Sequence, residues 1–579
     1  MHMRYTTTFA AAAALTLAAS APAAAQFRGA LEGLGTPPAP KVEVSWDRWY
    51  DVATLDAIGK RLAEAHPTHV RVASIGKSTE GREMQVITVS DFSVGDPDKK
   101  PAYYIDGNIH SNEIQGAEFA LYVAWYLAEM KGRVPRVDSL LKERTFYIVP
   151  TINPDAREHY LKKGNTASSP RTGLAPRDND GDGLIDEDGS VDLNGDGHIT
   201  QMRRRNPLGR FVSHPDYPHI MVPAAPGQQG EWELLGSEGF DQDGDGSVGE
   251  DGVGGYDPNR NWPWRWAAQN VQGGADWYPG SLVETRNVMK FVLAHPNIAS
   301  AQSFHNNGGM ILRGPGVPQD EYRPADVRVF DELGRTGERI LPGYRYLIVW
   351  KDLYTVWGGE LDWFYGARGV ITFSNELWTS RKYFESDPVR GRYVNEAEEF
   401  NQLLLLGEAT VPWQDFDHPQ YGKIQIGGTK KNFGRVEPGF MIQTEAHRNM
   451  AFATWHAGQM PLVQVDTVIT TALGNGLTQV DAIVSNPKLI PTHTQQDLEN
   501  RISPPNLITL TGGTVVAGFT VTNALLDQAT EQVREPATIR VSNIPGQSSV
   551  QVRWIVQGGS SYTVTAVSQK GGTATKSSR

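Results

Sequence analysis

The chain of 579 residues has no cysteine. That excludes disulfides, thiolate catalysis and lipid attachment at a cysteine, so an exported fold would have to rest on packing alone. It has no surplus of positive charge either. The net charge is −12, and nucleic acid is bound by basic surfaces, so it is not an expected partner. The one basic run, QMRRR at 201–205, is too short to reverse this. There is no G-x-S-x-G elbow, which argues against a serine hydrolase. Past the N-terminus no apolar run is long enough to span a bilayer.

At the N-terminus Arg4 precedes an Ala/Leu-rich stretch that ends in Ala23-Ala24-Ala25. This pattern predicts a secretory signal peptide over residues 1–25, cleaved before Gln26, and a secreted or periplasmic mature protein without a membrane span. Residues 26–45 are Pro- and Gly-rich and read as a linker. From Trp46 helical and strand-like patterns alternate. DVATLDAIGKRLAEAHP spaces its apolar residues as a helix and stops at Pro67. MQVITVS, PAYYIDGNI and RTFYIVPTIN read as strands. EIQGAEFALYVAWYLAEM reads as a helix with Ile114, Ala117, Leu121, Ala124 and Ala128 on one face. Such alternation predicts an α/β domain, a sheet covered by helices, over 46–410. An Asp/Gly-rich insert, 164–258, interrupts it and has little apolar periodicity. Residues 411–579 carry short alternating runs such as Val550, Val552, Trp554 and Val556, which predict a C-terminal β-sandwich.

The polar candidates stand at strand ends. His110 and Glu113 close PAYYIDGNIH, and ligand sites of open α/β sheets lie at the carboxyl ends of strands. Of the 14 histidines, His66, His214, His219 and His295 adjoin prolines and read as solvated loop residues. His305 ends another strand-like run. Two histidines and a carboxylate suit a catalytic zinc with one open position. Spacing alone leaves that reading level with satisfied strand-end histidines. Glu376 ends the run VITFSNE and is either a general base or the first exposed residue after a strand.

Taken together, these segments resemble the zinc metallocarboxypeptidases of the carboxypeptidase A type (peptidase family M14). The resemblance runs from about 48 to 405, broken by the insert. It rests on HPTHVRVASIGKSTEGREMQVITVS, HSNE, NPD at 153–155, YDPNRNW, SFHNN and LYTVWGGELDWFYGARGVITFSNELW. It implies a mixed β-sheet flanked by helices and one catalytic zinc held by His110, Glu113 and His305, the ligand set known for carboxypeptidase A. It further implies Asn259 and Arg260 as a clamp for the substrate's terminal carboxylate, Tyr354 as a mobile tyrosine over the substrate, and Glu376 as general base, 14 residues after Asp362. The oxyanion arginine falls in QMRRR, at Arg203 or, one place on, Arg204. Leu361 stands where the family sets specificity and with Val356 implies an apolar pocket. The adjacent Glu360 could favour a basic one. Asn112 and Asn306-Asn307 depart from the family's usual residues and bear on substrate preference.

Within the insert, Asp178, Asp180 and Asp182, then Asp192, Asn194 and Asp196, then Asp241, Asp243 and Asp245 each occupy positions 1, 3 and 5 of a loop with Gly at 6. That is the first half of a calcium loop. Calcium is therefore expected to order the insert and to place Arg203. The expected activity is hydrolysis of the C-terminal peptide bond of peptides or proteins. The alternatives are a cell-wall peptidase acting on peptidoglycan stem peptides, and a calcium-dependent binding protein on an inactive peptidase fold.

Overall fold

The computed structural model describes residues 33–164, 174, 176, 178, 183–186, 189–242, 244, 246, 248, 253–379 and 396–578. The signal-peptide expectation lies outside these. The strands up to residue 429 are β1 (Val70–Lys77), β2 (Glu83–Val89), β3 (Ala102–Gly107), β4 (Thr145–Val149), β5 (Gln201–Arg205), β6 (Phe211–Ser213), β7 (Met221–Pro223), β8 (Trp232–Ser237), β9 (Ile298–Asn306), β10 (Met310–Arg313), β11 (Arg345–Ile348), β12 (Ile371–Leu377), β13 (Thr410–His418) and β14 (Gly422–Thr429). The α-helices are α1 (Val52–Ala65), α2 (Gln115–Met130), α3 (Pro135–Glu143), α4 (Pro154–Lys162), α5 (Val283–Ala294), α6 (Pro324–Ile340), α7 (Glu360–Arg368), α8 (Glu396–Leu404), α9 (Ile442–Ala457) and α10 (Gln495–Asn500).

The main sheet runs β1-β2-β4-β3-β9-β12-β10-β11. Its centre, β4-β3-β9-β12, is parallel, and antiparallel pairs flank it. Parallel strands need crossovers that cover the sheet with helices, which makes the central strands apolar on both faces. β3, β4 and β9 are accordingly buried at every residue. The carboxyl ends of β3, β9 and β12 lie side by side, and the site is built there.

α2 packs on β3, β4 and β9 with one side and on α1 and α9 with the other. All its residues are buried. The single apolar face expected from Ile114, Ala117, Leu121, Ala124 and Ala128 is therefore only half of its packing surface. Its two buried carboxylates are engaged: Glu118 pairs with Arg157, and Glu129 accepts from Val42 N at 2.9 Å.

Two sequence expectations are corrected here. The β-rich C-terminal region does not begin at 411. β13 and β14 complete a second sheet, β13-β14-β5-β8-β6-β7, whose other strands come from the insert. α9 then joins the main core through Ile442, Ala446, Met450 and Phe452. The C-terminal module starts at Gln464 and consists of antiparallel strands in sheets of five and four around Trp554, Val480 and Ile508. The proline-flanked histidines are not all solvated. His66 is buried 3.0 Å from Glu129, and His214 is buried, with its Nδ1 accepting from Asp216 N and Tyr217 N. Among the described residues no helix is long and apolar enough to cross a membrane.

α9 also carries a titratable probe of the core. His456 is fully buried, with Nδ1 2.8 Å from the Tyr103 hydroxyl. Burial pushes its pKa down to about 3, below the unfolded value of about 6.5. The folded protein thus binds fewer protons than the unfolded chain in this window. The contribution is complete above pH 6.5 and is lost as pH falls toward 3. His456→Leu should make the acid limb of urea-measured stability shallower by up to one proton between those limits. An unchanged slope would show that His456 does not titrate on unfolding.

Candidate active site

Asn108, with φ of 55°, turns the chain out of β3. Its side-chain amide donates to the carbonyls of His110 at 2.7 Å and Ser111 at 3.3 Å. Buried Arg157 donates to Asn108 Oδ1 at 3.2 Å and to Ile114 O at 2.6 Å. This polar scaffold sets the HSNE turn rigidly before α2. NPD serves the same end. Asn153 caps α4 and donates to Ile109 O at 3.2 Å, and Asp155 receives Ser78 and Arg82.

His110, Glu113 and His305 converge, with one donor atom from each within 4.8 Å of the others, and all three are buried. His110 Nδ1 lies 2.9 Å from Glu113 Oε1, His305 Nδ1 lies 3.0 Å from Glu113 Oε2, and the two Nδ1 atoms are 3.3 Å apart. Burial alone would raise the Glu113 carboxyl, but His110 and His305 outweigh it and hold it well below the usual range. Donors about 2.0–2.1 Å from a tetrahedral zinc stand about 3.3 Å apart, so the triad fits that ion. The outer nitrogen of His110, Nε2, is 2.9 Å from Asp257 Oδ1. Such a carboxylate fixes the tautomer and orientation of a ligating imidazole. Asp257 is the functional residue that the sequence reading missed. The signal was its place in YDPNRNW, two residues before Asn259.

Glu376, half-buried, stands on β12 in register with His305 of β9 and Met310 of β10, one strand spacing from the triad. One cleft is lined by His110, His305, Glu376, Asn259, Arg260, Tyr354 and Leu361. Asn259 Oδ1 accepts from Glu360 N at 2.8 Å. Arg260 is buried, its Nη1 2.8 Å from Asn259 O and 3.6 Å from Asp257. Tyr354, 50% exposed, follows a short π-helical turn at the mouth. Leu361 packs with Leu312, Val349 and Val356. Glu360 is buried, and Ser303 Oγ lies 3.1 Å from it and 2.6 Å from Asp106. Burial, reinforced by Asp106, pushes the Glu360 carboxyl well above the usual range. Asn306 and Asn307 reach the carbonyls of Arg435 and Gly434.

Arg203 is not brought to this cleft. β5 pairs with β14 and β8 in the second sheet. There the Arg203 guanidinium is stacked between Trp232 at 3.8 Å and Trp413 at 4.0 Å and donates twice to Gln425. Arg204 pairs with Glu233. Arg260 is the one arginine among the cleft's described lining residues. In the insert, Asp178, Asp192 and Asp241 each accept from the glycine N–H five residues on, at 3.0, 2.9 and 3.1 Å, and Asn194 and Asp196 close the second loop. Asp180, Asp182, Asp243 and Asp245 lie outside the described residues. Among the described residues no acidic group of these loops converges with two others on one point.

The zinc carboxypeptidase family model matches residues 55–399. A second model, described as a domain of unknown function, matches 462–579. Curated relatives include an inactive metallocarboxypeptidase of Ajellomyces dermatitidis, 35% identical over 19% of this chain and 19% of its own length. Mouse carboxypeptidase D is 37% identical over 17% of this chain and 7% of its own length. The chain thus spans a fifth or less of the length of these relatives. Among solved structures, thrombin-activatable fibrinolysis inhibitor aligns at 17% identity and a TM-score of 0.44, covering 73% of this chain and 80% of that one. A Helicoverpa armigera carboxypeptidase A aligns at 18% and 0.40, covering 60% and 69%. With the family model spanning more than half of the chain, the protein belongs to the zinc carboxypeptidase family.

Proposed function

We propose that the protein is an exported zinc metallocarboxypeptidase that releases the C-terminal residue of peptides or proteins. The observation that carries this reading is the convergence of His110, Asn259, Arg260, His305, Tyr354 and Glu376, distant in sequence, on one cleft. Held by His110, Glu113 and His305, zinc would supply Lewis acidity and lower the pKa of water. Arg260 and Asn259 bind the terminal carboxylate, which selects a chain end and orients the scissile bond. Glu376 accepts a proton from the attacking water and returns it to the leaving amine. Leu361, Leu312, Val349 and Val356 form an apolar cluster that receives an apolar terminal side chain, and burial beside Asp106 disfavours the charge on Glu360 that would attract a basic one. Tyr354 covers the bound end.

Mass spectrometry of a peptide pool, half with free C-termini and half amidated, tests this with and without a zinc chelator. Chelator-sensitive loss of single residues from free ends is expected. Calcium in the Asp-rich loops is part of the same proposal and is read by running each arm with and without added calcium. No cleavage in the pool, but trimming of synthetic stem peptides, would favour the cell-wall reading. No cleavage at all with zinc bound would favour a binding protein. Arg260→Ala should raise KM for free-carboxylate peptides about 10- to 100-fold and narrow the preference over amides. An unchanged preference would remove Arg260 from the clamp.

A further inference from the structure

The helix that walls the cleft is anchored at both ends by different parts of the chain. α7 contributes Glu360, Leu361 and Asp362 to the cleft. Its first turn is held from the peptidase side. Asn259 accepts from Glu360 N, and Asp362 accepts from Gly316 N at 2.8 Å and the Tyr322 hydroxyl at 3.0 Å. Its last turn ends on Gly369 in the left-handed region, φ 60°. Carbonyls at such an end lack helical partners.

Here those partners come from the C-terminal module. Gln496 Nε2 donates to Gly366 O at 2.8 Å. Lys570 Nζ donates to Arg368 O at 2.6 Å and Gly369 O at 3.4 Å. Thr494 Oγ1 donates to Gly369 O at 3.1 Å. Lys570 is buried and also paired with Asp497 at 2.8 Å, itself fully buried and bound by Ser503. Asp326 of α6 closes the joint, accepting from Gln495 N, Gln496 N and the hydroxyl of Tyr365 in α7. A cation is thus placed out of water at the negative end of the α7 dipole. A buried ion pair contributes little net stability because desolvation offsets its attraction, but it tolerates only one register. A module on a loose tether would leave Asp326 and the α7 carbonyls without these partners.

We propose that the C-terminal module is a fixed part of the peptidase site rather than a separate recognition domain. Through Lys570, Thr494 and Gln496 it holds α7 against the cleft and so sets affinity for the terminal residue. These are positioning residues, acting through α7. The effect on affinity rests on the carboxypeptidase reading, whereas the docking itself does not.

The test uses the full chain with Lys570→Met, Thr494→Val and Thr494→Ser. It measures amide hydrogen exchange over 360–371, kcat and KM on one free-ended peptide, and zinc content. Lys570→Met and Thr494→Val should speed exchange in α7 but not in β9 or β12, and raise KM about three- to tenfold with kcat within twofold and zinc content unchanged. Thr494→Ser keeps the hydroxyl and should match the parent. Unchanged α7 exchange in both disruptive variants would overturn the proposal. So would kcat and zinc content falling together with the folded fraction. Should Lys570→Met fail to fold, the Thr494 pair decides. Should the parent cleave no peptide, the carboxypeptidase reading fails and the exchange arm alone decides the docking.

Discussion

Glu376→Gln is expected to abolish turnover while leaving the metal in place. Gln has the shape of Glu but cannot accept the proton, and general-base catalysis contributes about 10²- to 10⁴-fold. kcat should fall by that factor with KM little changed, because the clamp residues Asn259 and Arg260 are on a separate turn. Zinc content should stay at one per chain, since Glu376 is not one of the three converging donors. Glu376 is half-buried near the end of β12, so thermal unfolding of the variant accompanies the kinetics to separate lost chemistry from lost folding. A variant that keeps near-normal kcat would end the assignment of Glu376 as base.

Zinc binding itself divides into holding the ion and orienting its ligand. His110→Ala removes one of three donors and should lose zinc on dialysis, with activity lost in parallel. Asp257→Asn leaves all three donors but removes the carboxylate 2.9 Å from His110 Nε2. Loss of such an outer partner costs about 10- to 100-fold in metal affinity or activity. Competition against a chromogenic chelator separates the two. Equal affinity for Asp257→Asn and the parent would show that the imidazole is oriented without Asp257.

Much of the site was legible in the sequence. HSNE and SFHNN stand at strand ends, which makes His110, Glu113 and His305 candidates, and the resemblance of these motifs and of YDPNRNW, a short turn, to the zinc metallocarboxypeptidases adds Asn259 and Arg260. Helices α1 and α2 and strands β2, β3 and β4 follow from periodicity, because each buries at least one regular face. QMRRR was legible as a basic run, but neither its strand conformation nor its place in the fold was. Its partners, Gln425 and Trp413, lie more than 200 residues on, and cross-strand pairing over that separation leaves no local trace. The boundary at 411 failed for the same reason. β13 and β14 alternate like sandwich strands but pair with the insert.

The sequence by itself determined the α/β alternation, the ligand types and their order, and the absence of thiol chemistry, since these depend on residue identity and short-range spacing. Only the tertiary structure decided that Asp257 backs His110, that Glu360 is buried beside Asp106, that Arg203 is clamped between two tryptophans, and that the C-terminal module caps α7. Each of these depends on which distant groups share a water-poor space, and burial and charge pairing are properties of that space rather than of any one segment.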